Sequence, residues 1–200
     1  GGPVEPIRLF DNVYYFGQMD TGSFVVTTSA GIIVFDALNN EAEARDVIIG
    51  GMKTFGLDPS QIRYLVIGHA HNDHTGGAAY IQNTYKPRVI MGPADWDAVA
   101  AGARPDAPMP RRDLDMTDGQ QLTLGDTTVT LVMPSGHTPA TIGMIVPVRH
   151  LGRTHNAFIL SASQMPNRQS VDAWAHVFND YGKKMNVETA ISTHPNLAIN

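Results

Sequence analysis

Two hundred residues, 42% of them hydrophobic and 16% charged, make a chain that can bury one substantial core and exclude a disordered one. A net charge of −5, from 14 basic and 19 acidic side chains, excludes a general nucleic-acid binder, which presents a basic surface. Cysteine is absent, which removes disulfides, thiolate metal sites and cysteine nucleophiles together.

The chain opens on Gly1-Gly2-Pro3 without a basic stretch followed by an apolar one, so no signal peptide is expected within it, and no apolar run is long enough to span a bilayer. Val13-Tyr14-Tyr15-Phe16, Ser23 to Thr28 and Ile32-Ile33-Val34-Phe35 are predicted strands, with turn chemistry at Asp11-Asn12 and Ala30-Gly31. Asn40 to Phe55 is a predicted helix, N-capped by Asn40 with Glu43 three residues on. After Asp58-Pro59-Ser60, the strand Arg63 to Ile67 runs into His69-Ala70-His71-Asn72-Asp73-His74, expected to form a loop before the helix Gly76 to Tyr85. Arg88 to Met91 is then a strand and Ala94 to Ala101 a helix.

Gly102 to Pro110 carries three prolines and is the expected midpoint loop. Strands follow near Gln121 to Leu124, Thr128 to Met133, Thr141 to Val146 and His155 to Leu160. In the helix Val171 to Tyr181, the residues Val171, Trp174, Phe178 and Tyr181 recur at helical spacing and predict a core face. A last strand, Thr189 to Ser192, leads to His194. The order reads as two halves of similar plan meeting near residues 102–113 of one domain covering 1–200. The expected fold class is α/β, an αββα sandwich of two mixed β-sheets with helices on the outer faces.

The hexapeptide His69 to His74 holds four metal-ligand side chains of the kind a zinc-class ion prefers. Residues i and i+2 of an extended segment point the same way, so His69 and His71 can share one ion. Asp73 and His74, past the bend, can turn toward a second. His137, in Pro134-Ser135-Gly136-His137-Thr138-Pro139, and His194, in Ser192-Thr193-His194-Pro195, each follow a predicted strand. Strand ends of α/β sheets converge on one edge, where sites form. One ion then takes His69, His71 and His137, and the other takes Asp73, His74 and His194. Three protein ligands with an open position is a catalytic arrangement, and a hydroxide bridging two ions about 3.5 to 4 Å apart is nucleophilic near pH 7. His150, His155 and His176 read as ordinary surface histidines.

This pattern, H-x-H-x-D-H after a strand followed by a Gly-His-Thr loop and a late histidine, resembles the metallo-β-lactamase superfamily. The resemblance covers most of the chain, including Asp36 after Ile32 to Phe35. In that superfamily, lactonases and glyoxalase II-like thioesterases carry a bridging Asp after the strand that follows the Gly-His-Thr loop, and lactamase branches B1 and B2 carry a Cys. Here that strand runs into Ser161-Ala162-Ser163, which with His69 retained is similar to subclass B3. The opening Asp11-Asn12-Val13-Tyr14-Tyr15-Phe16-Gly17 is also B3-like, whereas the segment Gln164 to Tyr181 is shorter than usual there.

The resemblance implies a dinuclear enzyme with two Zn2+ ions per chain, opening a β-lactam amide with a metal-bridging hydroxide. Asp73 would orient that nucleophile. Ser161 and Ser163 would meet a substrate carboxylate or a metal-bound water, and Asp36 would brace the histidine loop. It implies a small-molecule substrate, a periplasmic or secreted location and a part in antibiotic resistance. Charge and apolar run lengths make neither nucleic acid nor membrane an expected partner, and a monomer is favoured with the oligomeric state left open. The alternative is a metallo-hydrolase of another ester, lactone or thioester. A di-iron redox protein is disfavoured because His71 stands where such sites place a Glu, and a nuclease by small size and acidic charge.

Overall fold

Val13 to Phe35 folds into the meander its apolar runs predict. In the computed structural model, which describes residues 2–102, 108–162, 165 and 167–195, strands β1 (Ile7–Phe10), β2 (Val13–Gly17), β3 (Gly22–Thr28) and β4 (Gly31–Phe35) pair antiparallel in sequence order. Three parallel strands extend the sheet: β5 (Ile62–Val66), β6 (Arg88–Met91) and the short β7 (Leu114–Asp115). The second sheet has the order β12-β11-β10-β9-β8, built from β8 (Gln120–Leu124), β9 (Thr127–Val132), β10 (Gly143–His150), β11 (Arg153–Leu160) and β12 (Val187–Ser192). Its pairs are antiparallel except β11 with β12. Both sheets are therefore mixed, as expected.

Parallel neighbours need crossovers, and these supply the helices. Helix α1 is a rod of three consecutive pieces: Glu41–Glu43, a π-helical segment Ala44–Ile49, and Gly50–Thr54. Asn40 caps it by accepting from the Glu43 amide at 2.9 Å. A single turn, α2 (Asn72–Thr75), precedes α3 (Ala78–Tyr85), and α4 (Pro93–Ala101) comes after β6. Helix α5 (Arg168–His176) carries a capping box at Asn167 and continues as a π segment, Val177–Gly182.

Strand alternation sorts the core into layers. Val13, Phe24, Ile33, Phe35, Val66 and Ile90 face Leu131, Met144, Val146 and Ile159 between the sheets. The other face of the first sheet, with Phe16, Val34 and Leu65, packs under Ile48, Met52, Ile81 and Trp96 of the helices. Phe158 and Ile145 meet Trp174 and Val177 on the outer face of the second sheet. Strand β4 is buried on both faces from Ile32 to Phe35, which is why it reads as a continuous apolar run, whereas β5 is fully buried only at Ile62, Leu65 and Val66 and carries the exposed Arg63. Among the described residues, no helix is long and apolar enough to cross a membrane.

The structure corrects three expectations. The inward face of α5 is Ser170, Trp174 and Val177, while Val171 and Phe178 are 45% and 50% exposed. At the helix start Ser170 packs against Gly136, where an added Cβ would fall 2.1 Å from the Ser170 Cβ, so position 136 admits only glycine. The π segment then breaks the 3.6-residue period on which the expected core face depends. Strand β10 begins at Gly143 instead of Thr141, because Thr141 and Ile142 are held by the loop at Thr138 and by Gly68. Strands β1 and β7 were not expected; both are short and lie at the edges of their sheet. Residues 103–107 of the expected midpoint loop lie outside the described residues.

Candidate metal centre

All six expected ligands converge where β5, β9 and β12 end. Past β5, Ile67 still pairs with Ile90, and the Gly68 carbonyl accepts from the Ile142 amide, which ties the histidine loop to the segment entering β10. His71 is extended and begins α2 as its N-cap residue, with its carbonyl accepting from the His74 and Thr75 amides at 3.1 Å. Asp73 and His74 therefore sit on a helical turn rather than on the loop expected from the sequence. That turn separates the side chains into two groups.

In the first group, His71 Nδ1 lies 3.1 Å from His69 Nε2 and 2.9 Å from His137 Nε2. In the second, His74 Nε2 lies 3.0 Å from His194 Nε2 and 3.3 Å from Asp73 Oδ2, and His194 Nε2 is 3.5 Å from that same oxygen. His69, Asp73 and His74 also offer ligand atoms within 4.8 Å of one another, so the two groups abut.

Outer hydrogen bonds decide which nitrogens face inward. Asp36 is fully buried at φ +67°, a left-handed conformation uncommon for a non-glycine residue. Its Oδ1 accepts from the Gly68 amide at 2.6 Å, and its Oδ2 accepts from His74 Nδ1 at 2.6 Å and from Ser161 Oγ at 3.0 Å. With its proton committed to Asp36, the Ser161 hydroxyl accepts from His69 Nδ1 at 2.9 Å. His194 Nδ1 donates to the Asp20 carbonyl at 2.8 Å. In this tautomer set His69, His74 and His194 all present bare Nε2 lone pairs to the centre.

That arrangement fits a cation. The His74 and His194 lone pairs face each other at 3.0 Å, and only a proton or a metal ion between them removes the repulsion. Protonation obeys the same logic. Burial pushes the His74 pKa down, but Asp36 beside it wins and raises it to about 9. Burial pushes Asp73 up, yet the His74 hydrogen bond holds it at about 2. Burial and the neighbouring histidines push His69 and His137 down, leaving neutral imidazoles ready to ligate. Five imidazoles and one carboxylate, without thiolate, form a donor set suited to a zinc-class ion.

Ser161 does not reach the cleft. It is fully buried, and a Cβ at Gly68 would lie 2.0 Å from its Oγ, so the histidine loop seals it in. The expectation that it meets substrate gives way to a position behind His69. Ser163 lies outside the described residues. His155 and His176 pair with surface carboxylates, and His150 is exposed at the β10–β11 turn. Two groups beside the site give no signal in the sequence, the Asp20 carbonyl and the buried Asp95, and Thr138, though part of the Gly-His-Thr motif, gives none of its bond to Asp95. Asp95 gives no visible signal, because an acidic residue in the first turn of a helix is ordinary.

Comparison with known proteins agrees with this geometry. A family model described as the metallo-beta-lactamase superfamily matches residues 18–151. BJP-1, a subclass B3 metallo-β-lactamase of Bradyrhizobium japonicum, superposes with a TM-score of 0.79 at 25% identity, over 98% of this chain and 80% of that one. Rm3 metallo-β-lactamase gives a TM-score of 0.77 at 25% identity, over 99% of this chain and 81% of that one. The N-acyl homoserine lactonase AttM of Rhizobium radiobacter is 30% identical over 105 residues, which is 48% of this chain and 40% of the lactonase. The match thus spans less than half of that relative's length.

Proposed function

The chain belongs to the metallo-β-lactamase superfamily, and from that premise we propose that it is a zinc-dependent hydrolase that opens the amide bond of β-lactams. The observation that carries this reading is the pair of inward-facing ligand groups, completed at the end of β11 by a buried serine instead of a carboxylate or a thiolate. His69, His71 and His137 would hold one ion, and Asp73, His74 and His194 the other. Ions bound there supply Lewis acidity for a carbonyl oxygen and acidify water enough to attack near neutral pH.

The remaining work belongs to the protein. Asp73, held as a carboxylate at a pKa of about 2 and one-third exposed, can accept a hydrogen bond from an attacking water and fix its approach. His71, His137 and Asp73 are accessible from the cleft, while His69 and His74 are sealed below it, so substrate would meet the centre from this open side, where His137 stands. A groove formed by Ser135, Gly136, His137, Pro139, Asn167 and Gln169 opens on that side and offers room for a substituent. A periplasmic or secreted location belongs to the same proposal, because cell-wall-directed drugs act there.

The lactonase match supports a second reading, hydrolysis of a lactone on the same centre. The absence of a carboxylate at Ser161 weighs against it. The test is turnover of nitrocefin, a carbapenem, a homoserine lactone and a thioester by zinc-loaded protein, with and without EDTA. Chelator-sensitive β-lactam cleavage that resists serine-acylating inhibitors is expected. Lactone turnover without β-lactam turnover would transfer the assignment to the second reading, and no turnover of any of the four would refute both.

A further inference from the structure

Asp95 is fully buried in the first turn of α4 and touches no solvent. An acidic side chain there ordinarily turns back to its own helix's free amides. This one reaches out. Its Oδ2 accepts from the Ala70 amide at 3.2 Å and from the Thr138 hydroxyl at 2.7 Å. Ala70 lies between His69 and His71, and Thr138 directly follows His137. One carboxylate oxygen therefore joins the two loops that carry the whole first ligand group. Thr141 locks the second loop from its other side, accepting from the Thr138 amide at 3.0 Å and sharing a 2.8 Å hydroxyl contact with it.

We infer that Asp95 is a positioning residue for the first ligand group, holding the His69–His71 segment and the His137 loop at the separation one ion requires. The inference rests on the reading of that group as a metal site. Asp95 is sealed from solvent and, among the described residues, makes no hydrogen bond to a ligand ring. It acts through the Ala70 amide and the Thr138 hydroxyl. Asp36 and Asp20 serve the other ligand nitrogens, and no hydrogen bond connects Asp95 to Asp73, His74 or His194 among the described residues. Its effect is accordingly confined to one of the two groups.

Zinc affinity, measured by competition with a chromophoric chelator, separates this role from general structural support. In a His194→Ala background only the first group is complete; in a His71→Ala background only the second is. Asp95→Ala should weaken zinc binding about 10- to 100-fold in the first background, the usual cost of losing an outer partner, and leave the second unchanged. Thr138→Val, which removes the hydroxyl at nearly constant shape, should do the same, and Thr138→Ser should restore binding. The Thr138 pair keeps the test decisive if Asp95→Ala fails to fold. Equal weakening in both backgrounds, or unchanged affinity in the first, would overturn the inference while leaving the metal reading intact. If His194→Ala protein with Asp95 and Thr138 intact takes up no zinc at all, the metal reading fails and this inference fails with it.

Discussion

Replacing Asp36 by Asn tests how the ligand histidines are aimed. The change keeps the shape of the side chain and removes one acceptor. In the native protein the carboxylate accepts three hydrogen bonds, from the Gly68 amide at 2.6 Å, His74 Nδ1 at 2.6 Å and Ser161 Oγ at 3.0 Å. If the new amide keeps its oxygen on Gly68, its NH2 group faces two donors. His74 must then carry its proton on Nε2, the nitrogen that points at Asp73 and His194. If the amide flips, the buried Gly68 N–H loses its acceptor. Either outcome leaves at least one buried donor unpaired, a cost of roughly 1 to 3 kcal/mol to the metal-free fold. Loss of an outer partner should also weaken zinc binding by about 10- to 100-fold, equivalent to about 1.4 to 2.7 kcal/mol. Denaturant unfolding of the metal-free protein reads the first effect, and zinc competition in the His71→Ala background reads the second. Imidazole NMR reads the cause: Asp36 holds the His74 pKa at about 9 against burial, and the Asn variant should let it fall. An Asp36→Asn protein with native zinc affinity and His74 still protonated at pH 8 would refute the reasoning.

Ser161→Ala strands the His69 Nδ1 donor in a fully buried setting, which should cost roughly 1 to 3 kcal/mol and weaken zinc at the first group. The KM for a β-lactam should stay within error, and a large rise in KM would return Ser161 to the cleft. EDTA treatment should lower the melting temperature in calorimetry, since a site at 100-fold excess of free zinc over Kd contributes about 2.7 kcal/mol. An unchanged melting curve would contradict the metal reading. His176 lies between Asp118 at 3.1 Å and Asp180 at 2.7 Å, with Tyr181 and Lys184 alongside, and hydrogen bonds to the two carboxylates raise its pKa above 6.5. Its stabilisation is therefore complete below pH 6.5 and is lost as pH rises through the raised value. His176→Gln should lower stability by about 0.2 to 1 kcal/mol at pH 6, because the group is largely exposed, and by less at pH 9. A difference that grows with pH would refute the assignment.

Legibility in the sequence divides along the range of the interactions. The grouping of His69, His71, Asp73 and His74 is legible because all four candidate ligand side chains fall within six residues, a local property, although the helical turn that carries Asp73 and His74 is not. His137 and His194 are legible because each comes after an apolar strand and stands in a turn-rich setting. The groups that aim these ligands are not. Asp36 and Ser161 are 125 residues apart, and Asp95 and Thr138 are 43 apart, so no window along the chain contains either pair. Asp36 can be proposed as a brace, but its partners and its left-handed backbone emerge only when β4, β5 and β11 are brought side by side. The phase of α5 fails for a related reason. A helical period assumes a regular helix and an unobstructed start, whereas Ser170 packs against Gly136 of another loop and the π segment rotates the residues beyond His176. The consequence reaches beyond legibility. The inward lone pairs of His69, His74 and His194 depend on acceptors at Ser161, Asp36 and Asp20, which lie at the end of β11, just past β4 and in the β2–β3 turn. The hexapeptide alone would present its imidazoles in mixed tautomers and orientations. Packing the two sheets together selects the one set that leaves ligand atoms facing a common centre, so metal affinity should track the integrity of the sandwich as closely as the identity of the ligands.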